Sequence, residues 1–436
     1  MSVRDVDQIV VEINQKLGNL AFKSSKSSIF KVDIHLRIDG GDSVYDPEIV
    51  AIGPYHRGKS HLQYMEEQKY RYLRRLLNRE NEEIISYINV VVAMEERARK
   101  CYAEPTYLSS NEFLIMMVVD ACFLIELIRS YGIKELRDDD DPIFRQERIL
   151  SQLRHDIFLL ENQLPFFLLN ELFNMTKIND PKDDIITLTL RFADSIFLNF
   201  KVPEVVRKIP INNIDHIFGL VHWFLCFPFT ESIPAREKHA RNHVSDKWAN
   251  IYSISGLREA GIKIERAEEK SSLLDITFKD GVLKIPRLKI FDETESQLRN
   301  LTAYEQYLSD GEPRYVSELM FFMHCLIKTP YDAKLLRCRG IIENWFAKDE
   351  NVCLMFNRIG KNILTSSNFS YSQIFRYVNK QCSRRHIKWR ATLRRNYFNS
   401  PWSIISFLAA AMLLLLTLLQ TIYTILSYKH RSDKTP

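Results

Sequence analysis

Glycine is scarce in this chain. There are 13 in 436 residues, roughly 3% where an average protein has roughly 7%. Doubly wound nucleotide-binding folds use glycine in their phosphate loops, so the shortage weighs against that class. The 7 cysteines are an odd number and none stands in a CxxC pair. That argues against a disulfide framework or a zinc cluster, and for free thiols in a reducing compartment. There is no GxSxG elbow, and no Cys/His pair stands out as nucleophile and base. The opening residues, MSVRDVDQIVVEINQKL, carry acids where a secretory signal would be apolar. No segment repeats with a period of about 20–50 residues. What is present suits a folded chain: 46% hydrophobic and 26% charged residues, with 26 Phe and 19 Tyr. The length supports one large domain or two ordinary ones, and the Phe and Tyr suit a packed, largely helical body.

One sign of charge is missing from the C-terminal end. Residues 351–432 contain no Asp or Glu, and residues 351–436 carry 13 Lys/Arg against one Asp, a net +12. The whole chain is +5, so residues 1–350 carry −7. An acidic body with a basic end points to a membrane or a polyanion. Residues 402–428 read WSIISFLAAAMLLLLTLLQTIYTILSY, with no charge in 27 positions. As a helix this stretch is about 40 Å long, enough to cross a hydrocarbon core of about 30 Å with some tilt. Trp402, Tyr423 and Tyr428 stand near its ends, where amphipathic aromatics are favoured.

A single C-terminal membrane span is therefore predicted, inserted after synthesis like a tail anchor. Seven basic residues precede it, Lys380, Arg384, Arg385, Lys388, Arg390, Arg394 and Arg395, and 3 follow it. The positive-inside rule then places the large body in the cytosol, with the plasma membrane as the expected site. The seven are read as membrane-surface residues, worth roughly 1 kcal/mol each near anionic lipid. Ile374, Val378, Cys382, Trp389, Leu393 and Tyr397 recur at near-helical spacing, as in a helix lying at the interface. Nucleic acid is not an expected partner, because the charge adjoins the span.

Along the chain, residues 1–30 read as an amphipathic helix (1–22) and a Ser/Lys linker, and 31–370 as a mostly helical domain. Residues 371–400 form the basic juxtamembrane segment, 402–428 the span and 429–436 a short tail. Val32, Ile34, Leu36 and Ile38 alternate with polar neighbours and predict a strand over 31–39. Residues 48–52 read as a second short strand. Helices are predicted at about 60–78, 82–101, 111–130, 143–161 and 164–174. Residues 185–250 are aromatic-rich and read as helical. Asp280-Gly281 between apolar runs 273–278 and 282–290 predicts a hairpin with a type I′ turn. Helices follow at about 295–309, 314–328, 331–347 and 351–363. The expected fold is mainly α (α+β), a large helical body with a small antiparallel β element and a C-terminal transmembrane helix. The apolar run 113–128 is too short to span and contains Asp120 and Glu126, so it reads as a core helix whose acids pair with buried Arg or Lys.

One motif tempts an enzymatic reading. Gly53-Pro54-Tyr55-His56-Arg57-Gly58-Lys59-Ser60 matches GxxxxGK[ST], the phosphate-binding loop. In that alternative Gly53 and Gly58 shape the loop, Lys59 contacts the β/γ phosphates, and Ser60 and Asp120 hold magnesium. Physics opposes it. Such a loop wraps N–H groups around phosphate, yet Pro54 has none, and the internal positions hold Tyr, His and Arg rather than glycine. No βα series follows to build a parallel sheet. His239 and His243 are four apart with no third ligand evident, and read as part of a charged loop. His324 and Cys325 read as core, and residues 138–141 as a solvated turn. Glu161-Asn162-Gln163, between apolar runs, reads as a set of groups that cap or cross-link helices. No catalytic residue, cofactor or metal site is assigned. Asn174, Asn300 and Asn368 head glycosylation sequons.

The motif blocks carry a further reading. IVAIGPYHRGKSHLQYMEEQKYRYL (49–73), MMVVDACFLIELI (116–128) and DIFLLENQLPFFLLNELF (156–173) stand in that order. LLDITFKDGVLKIPRLKI (273–290), LRNLTAYEQ (298–306) and GIIENWFAKDENVCLMFNRI (340–359) follow, before the span that opens with Pro401-Trp402. The chain resembles the plant domain-of-unknown-function family 247, also called uncharacterised protein family 0481, from about Tyr45 onward. In that family GPYHRGK is a general signature and the position of Ser60 is often proline, so the phosphate-loop spelling looks accidental. The resemblance implies a plant protein with a C-terminal span and no established activity or catalytic residues. For some grass members the resemblance implies a pollen-side role in self-incompatibility, while the tail anchor, the acidic helical body and the absence of a convergent polar site lead us to expect a non-catalytic interaction or recognition module. ISGLREAG at 254–261 and IFRQERI at 143–149 depart from the usual spellings.

Overall fold

The computed structural model describes residues 9–11, 13–14, 27–38, 44–80, 83–194, 211–237, 251–268, 272–309, 311–345, 348–361, 363, 369–383 and 401–432. The helix Ser110–Gly132 organises the first half. A capping box fixes its start: Ser109 accepts from the Glu112 N–H, and the Glu112 carboxylate accepts from the Ser109 N–H. Every residue from 116 to 130 is buried. A helix apolar on all sides must be enclosed, and Gln63–Glu80, Ile84–Lys100, Phe166–Met175 and Ile185–Ala193 enclose this one. The core-helix reading of 113–128 holds. In the second half Thr294–Tyr307, Tyr315–Leu326, Pro330–Cys338 and Asp349–Lys361 pack on one another, and one continuous apolar core runs through both halves. The molecule is mainly helical with short strands, as expected.

The predicted hairpin is present. β2 (Thr277–Lys279) and β3 (Val282–Ile285) pair antiparallel, Thr277 opposite Lys284. Asp280 and Gly281 have φ of 51° and 78°, the positive pair that a type I′ turn requires. The rest of the sheet was not foreseen. β1 (Lys263–Arg266) adds in parallel to β3. The run 282–290 is cut at Pro286, and β4 (Leu288–Ile290) turns away to pair in parallel with β5 (Ile342–Asn344). The helix predicted over 331–347 therefore ends at Cys338. Gly340 at φ 66° reverses the chain into β5.

Both strands predicted before the phosphate-loop motif are corrected. Residues 31–39 hold a short helix, Ile34–Ile38, because the Asp33 carboxylate takes the His35 N–H at 2.9 Å and turns the chain. Residues 48–52 form no strand: the chain bends at Glu48 and Ile49, where successive N–H groups turn toward the Asp156 carboxylate. The helix predicted over 143–161 is Pro142–Arg145 then Glu147–Ile157. The middle segment 185–250 gives helices Ile185–Ala193 and Ile217–Glu237, and 195–210 and 238–250 lie outside the described residues. Of the N-terminal helix, residues 9–11 and 13–14 are described; they are helical and exposed.

Lys380 sits exposed on Ser372–Cys382, but that helix is not a free interfacial one. Its apolar face, Phe375, Val378 and Cys382, is buried in the body, beside β2 and an aromatic cluster of Phe321, Phe322, Phe369 and Tyr371. Body packing thus continues past residue 370. Arg384, Arg385, Lys388, Arg390, Arg394 and Arg395 lie outside the described residues, as do His239, His243 and Asn368. The C-terminal helix is Pro401–Ser432; its window Ile405–Ser427 has mean hydropathy 2.2, long and apolar enough to cross a membrane, and none of it is buried. All 7 cysteines are free.

Candidate functional site

The segment 46–60 crosses the middle of the first half, and its backbone is held by side chains rather than by a neighbouring strand. The Asp156 carboxylate, fully buried, accepts from the N–H groups of Glu48 (2.9 Å), Ile49 (2.7 Å) and Val50 (3.0 Å). Asn162 bridges both directions: its Oδ1 accepts from Ile52 N–H at 2.6 Å and its Nδ2 donates to Val50 O at 3.0 Å. Asp120 Oδ2 accepts from Gly53 N–H at 2.9 Å. Lys69, only 1% exposed, donates to the Ala51 carbonyl and to Asp120 Oδ1 at 2.7 Å. Buried backbone groups need partners, and four side chains from three helices and a turn supply them here. Gln163 does the same next door. Its amide donates to Ile157 O and Leu159 O and accepts from Phe218 N–H. The cross-linking expected of Glu161-Asn162-Gln163 is what these residues do.

This geometry sends the residues of the phosphate-loop alternative to different places. Gly53 has φ 72°, but its N–H points inward to Asp120. Asp120 is 1% exposed and both its oxygens are taken, by Lys69 and Gly53. Lys59 is half-exposed and pairs with Asp46 Oδ2 at 2.7 Å. Ser60 is exposed and opens a 3-10 turn, Ser60–Leu62, ahead of the long helix. Gly58, at φ 84°, is exposed with open space beside it. Lys59, Ser60 and Asp120 are thus not one constellation. The acids on the core helix pair as expected: Glu126 takes Arg79 through two bonds of 2.7 and 2.8 Å and also meets Arg129.

The two loop glycines separate shape from chemistry. A Cβ on Gly53 would lie 2.7 Å from the Gln163 carbonyl oxygen, whereas one on Gly58 would meet nothing within 4 Å. Both substitutions carry the left-handed backbone strain of about 1–2 kcal/mol. Gly53→Ala adds a collision with buried backbone and is expected to cost about 3 kcal/mol or more in all. Thermal unfolding of the two variants, side by side, reads the difference. Equal losses would contradict it.

Nearer the surface, Asp46, His56 and Glu161 converge, their donor atoms within 4.8 Å of one another. Two fixed cations already stand there. Arg37 reaches both carboxylates, and Lys59 takes Asp46. Burial would raise the Glu161 carboxyl, but His56, the Val32 N–H and Arg37 outweigh it and hold it below the ordinary carboxylate range. His56 Nε2 lies 3.1 Å from Glu161 Oε2. The charges balance without a metal, so this cluster reads as an ion-pair network that pins the GPYHRGK turn to the Glu161 loop. The turn predicted at 138–141 is likewise more than solvated: Asp141 is buried, caps the Pro142–Arg145 helix and accepts from Tyr72.

A second set of donors, His222, Cys226 and Glu305, comes together between two helices. Sequence reading passed over it. The four-residue spacing of His222 and Cys226 was visible, but Glu305 is 79 residues beyond Cys226 and no local signal connects them. Of the sequons, Asn300 is fully buried, bonded to Leu160 N–H and the Val44 carbonyl. A glycan there is incompatible with this fold. Asn174 is exposed on Phe166–Met175.

A family model described as a plant protein of unknown function, DUF247, matches residues 29–416. The chain is 31% identical over 406 residues to the UPF0481 protein At3g47200 of Arabidopsis thaliana, covering 88% of this chain and 83% of that one. It is 24% identical over 486 residues to the putative UPF0481 protein At3g02645 of the same plant, covering 90% and 89%. No solved structure matches the chain. The signature blocks that organise the buried seam and the match over most of the length agree: the chain belongs to the DUF247 family of plant proteins of unknown function.

Proposed function

We propose that this protein is a non-catalytic interaction module anchored in a membrane, with its helical body on the cytosolic side. One observation carries the reading: Ile405–Ser427, 23 residues of mean hydropathy 2.2, has none of its apolar window buried. Exposed apolar helix of that length needs lipid or a partner. The internal use of the most enzyme-like residues supports the absence of catalysis, since Asp120, Lys69, Asp156 and Glu161 all face the fold's own groups. Seven Lys/Arg before the span against 3 after it favour a cytosolic body. The burial of Asn300 agrees, because a lumenal chain would expose that sequon to glycosylation before folding. The plasma membrane is the expected location, and pollen-side recognition in self-incompatibility is the sharpest form of the reading.

Topology is the test. The full chain is expressed in plant cells, and sealed microsomes are treated with protease or endoglycosidase. The body is expected to be digested, with no mobility shift on deglycosylation and retention in the pellet after alkaline carbonate. A glycan shift removed by Asn174→Gln would place the body outside and overturn the cytosolic assignment. Release by carbonate would overturn the anchor. Expression confined to pollen or stigma supports the self-incompatibility form, and broad leaf and root expression contradicts it.

A further inference from the structure

We propose that His222, Cys226 and Glu305 form a zinc site joining the helices Ile217–Glu237 and Thr294–Tyr307. His222 and Cys226 are four apart on one helix, which stacks their side chains on one face. Glu305 comes from the other helix. His222 Nε2 lies 2.8 Å from Glu305 Oε1 and 3.7 Å from Cys226 Sγ, and all three donor atoms fall within 4.8 Å of one another. Tetrahedral zinc, with bonds of about 2.0–2.3 Å, sets its donors roughly 3.3–3.7 Å apart. The His–Cys spacing already meets that. The His–Glu spacing has to open by roughly half an ångström, within reach of side-chain rotation.

Three further observations favour an ion over the other uses of these residues. First, a single imidazole nitrogen, Nε2, faces both the sulfur and the carboxylate. A Cys–His–acid relay needs the acid on the opposite ring nitrogen, where it can orient the base while the first nitrogen faces the nucleophile. Convergence on one nitrogen suits a shared cation and not proton relay. Second, the carboxylate is fixed before any ion arrives. Glu305 Oε1 accepts from Val316 N–H at 2.9 Å and Oε2 from Ser317 N–H at 2.6 Å, the outer-layer support that orients a metal ligand. The ring of Tyr304 stands edge-on to His222, centroids 5.0 Å apart. Third, the charge is right. Among the described residues the ion-pair partner of Glu305 is His222, and no Lys or Arg takes the cation's place as Arg37 and Lys59 do in the Asp46–His56–Glu161 cluster.

A thiolate, a carboxylate and a neutral imidazole supply two negative charges to a divalent ion. The thiol proton and the proton between Nε2 and Glu305 leave as three metal–ligand bonds form. Glu305 and Cys226 are buried and His222 is 9% exposed. Softness of the thiolate and the mixed S, N, O set select zinc over magnesium or calcium. Three protein ligands leave the fourth position to water.

The test uses the full chain purified in detergent without chelator. Elemental analysis is expected to find about one zinc per chain. Cys226→Ser and His222→Ala are expected to lose it or to bind at least tenfold more weakly. The cobalt-exchanged protein should show a thiolate-to-cobalt charge-transfer band that Cys226→Ser abolishes while retaining its helical circular dichroism. Should those variants fail to fold, X-ray absorption on the unmodified chain decides the matter. One sulfur at about 2.3 Å with nitrogen and oxygen at about 2.0–2.2 Å supports the site. No zinc after equilibration with the free metal overturns it, as does bound zinc with no sulfur neighbour, or full zinc retention in Cys226→Ser.

Discussion

Replacing Asp156 with Ala is expected to cost the fold about 3–5 kcal/mol, a large part of a typical stability of about 5–15 kcal/mol. The carboxylate holds three successive backbone N–H groups, those of Glu48, Ile49 and Val50, and it does so from a fully buried position. Buried backbone outside helices and sheets still needs partners. Here the partner is one side chain, so one truncation undoes the whole pairing. The Val50 N–H is itself buried, and a buried donor left unmet carries its full desolvation cost. Asp156→Asn is expected to do nearly as badly, since its NH₂ would face an N–H. Denaturant unfolding of the full chain in detergent measures the loss. A change below about 1 kcal/mol, the range of a surface substitution, would mean that the segment is not held this way.

The second large effect concerns Lys69 and Asp120. Both are 1% exposed, and they meet at 2.7 Å. Removing Lys69 strands the buried Asp120 carboxylate away from water, at about 3–5 kcal/mol, whereas removing Asp120 leaves Lys69 paired with the partly exposed Glu66 at 2.6 Å and costs less. Asp120→Ala also frees the Gly53 N–H, and Lys69→Met also frees the Ala51 carbonyl. The double variant Lys69→Met/Asp120→Leu is expected to lose less than the sum of the single changes, with a coupling of about 1–3 kcal/mol. Lys59→Ala is the contrast. Its pair with Asp46 is partly open to solvent, the side chains 35% and 28% exposed, and such pairs contribute about 0–1 kcal/mol. The spelling GKS draws attention to Lys59, whereas the fold depends on the lysine ten positions later. Additive single changes, or a Lys59→Ala loss equal to that of Lys69→Met, would contradict this assignment.

What could be read in advance follows from the range of the interactions. The Asp280-Gly281 hairpin was legible because a type I′ turn is decided by two adjacent residues. The central helix was legible because a 16-residue apolar run with two acids fits neither strand nor span. Glu161-Asn162-Gln163 was legible because polar groups between apolar runs must find buried partners. Residues 31–39 misled because alternation makes a strand only where a neighbour offers a ladder, and Asp33 offers the backbone a nearer acceptor. Residues 48–52 misled as well: their apolar run reads as a strand, but the chain bends at Glu48 and Ile49 and the N–H groups of 48–50 go to a carboxylate 106–108 residues away. No local rule points to it. The same distance hid β5, whose pairing with β4 breaks what periodicity alone reads as one helix. It also hid Glu305 from the His222–Cys226 pair.

The signature block GPYHRGK emerges from this as an internal fastening. Its first glycine is chosen by the close approach of the Gln163 carbonyl, its histidine and lysine by the carboxylates of Asp46 and Glu161. The most direct check is calorimetry of the full chain in detergent with magnesium and ATP, alongside Lys59→Ala. The account predicts no saturable binding at millimolar nucleotide for either protein. Saturable binding by the unmodified chain that Lys59→Ala abolishes would contradict it, and would make residues 53–60 a phosphate site.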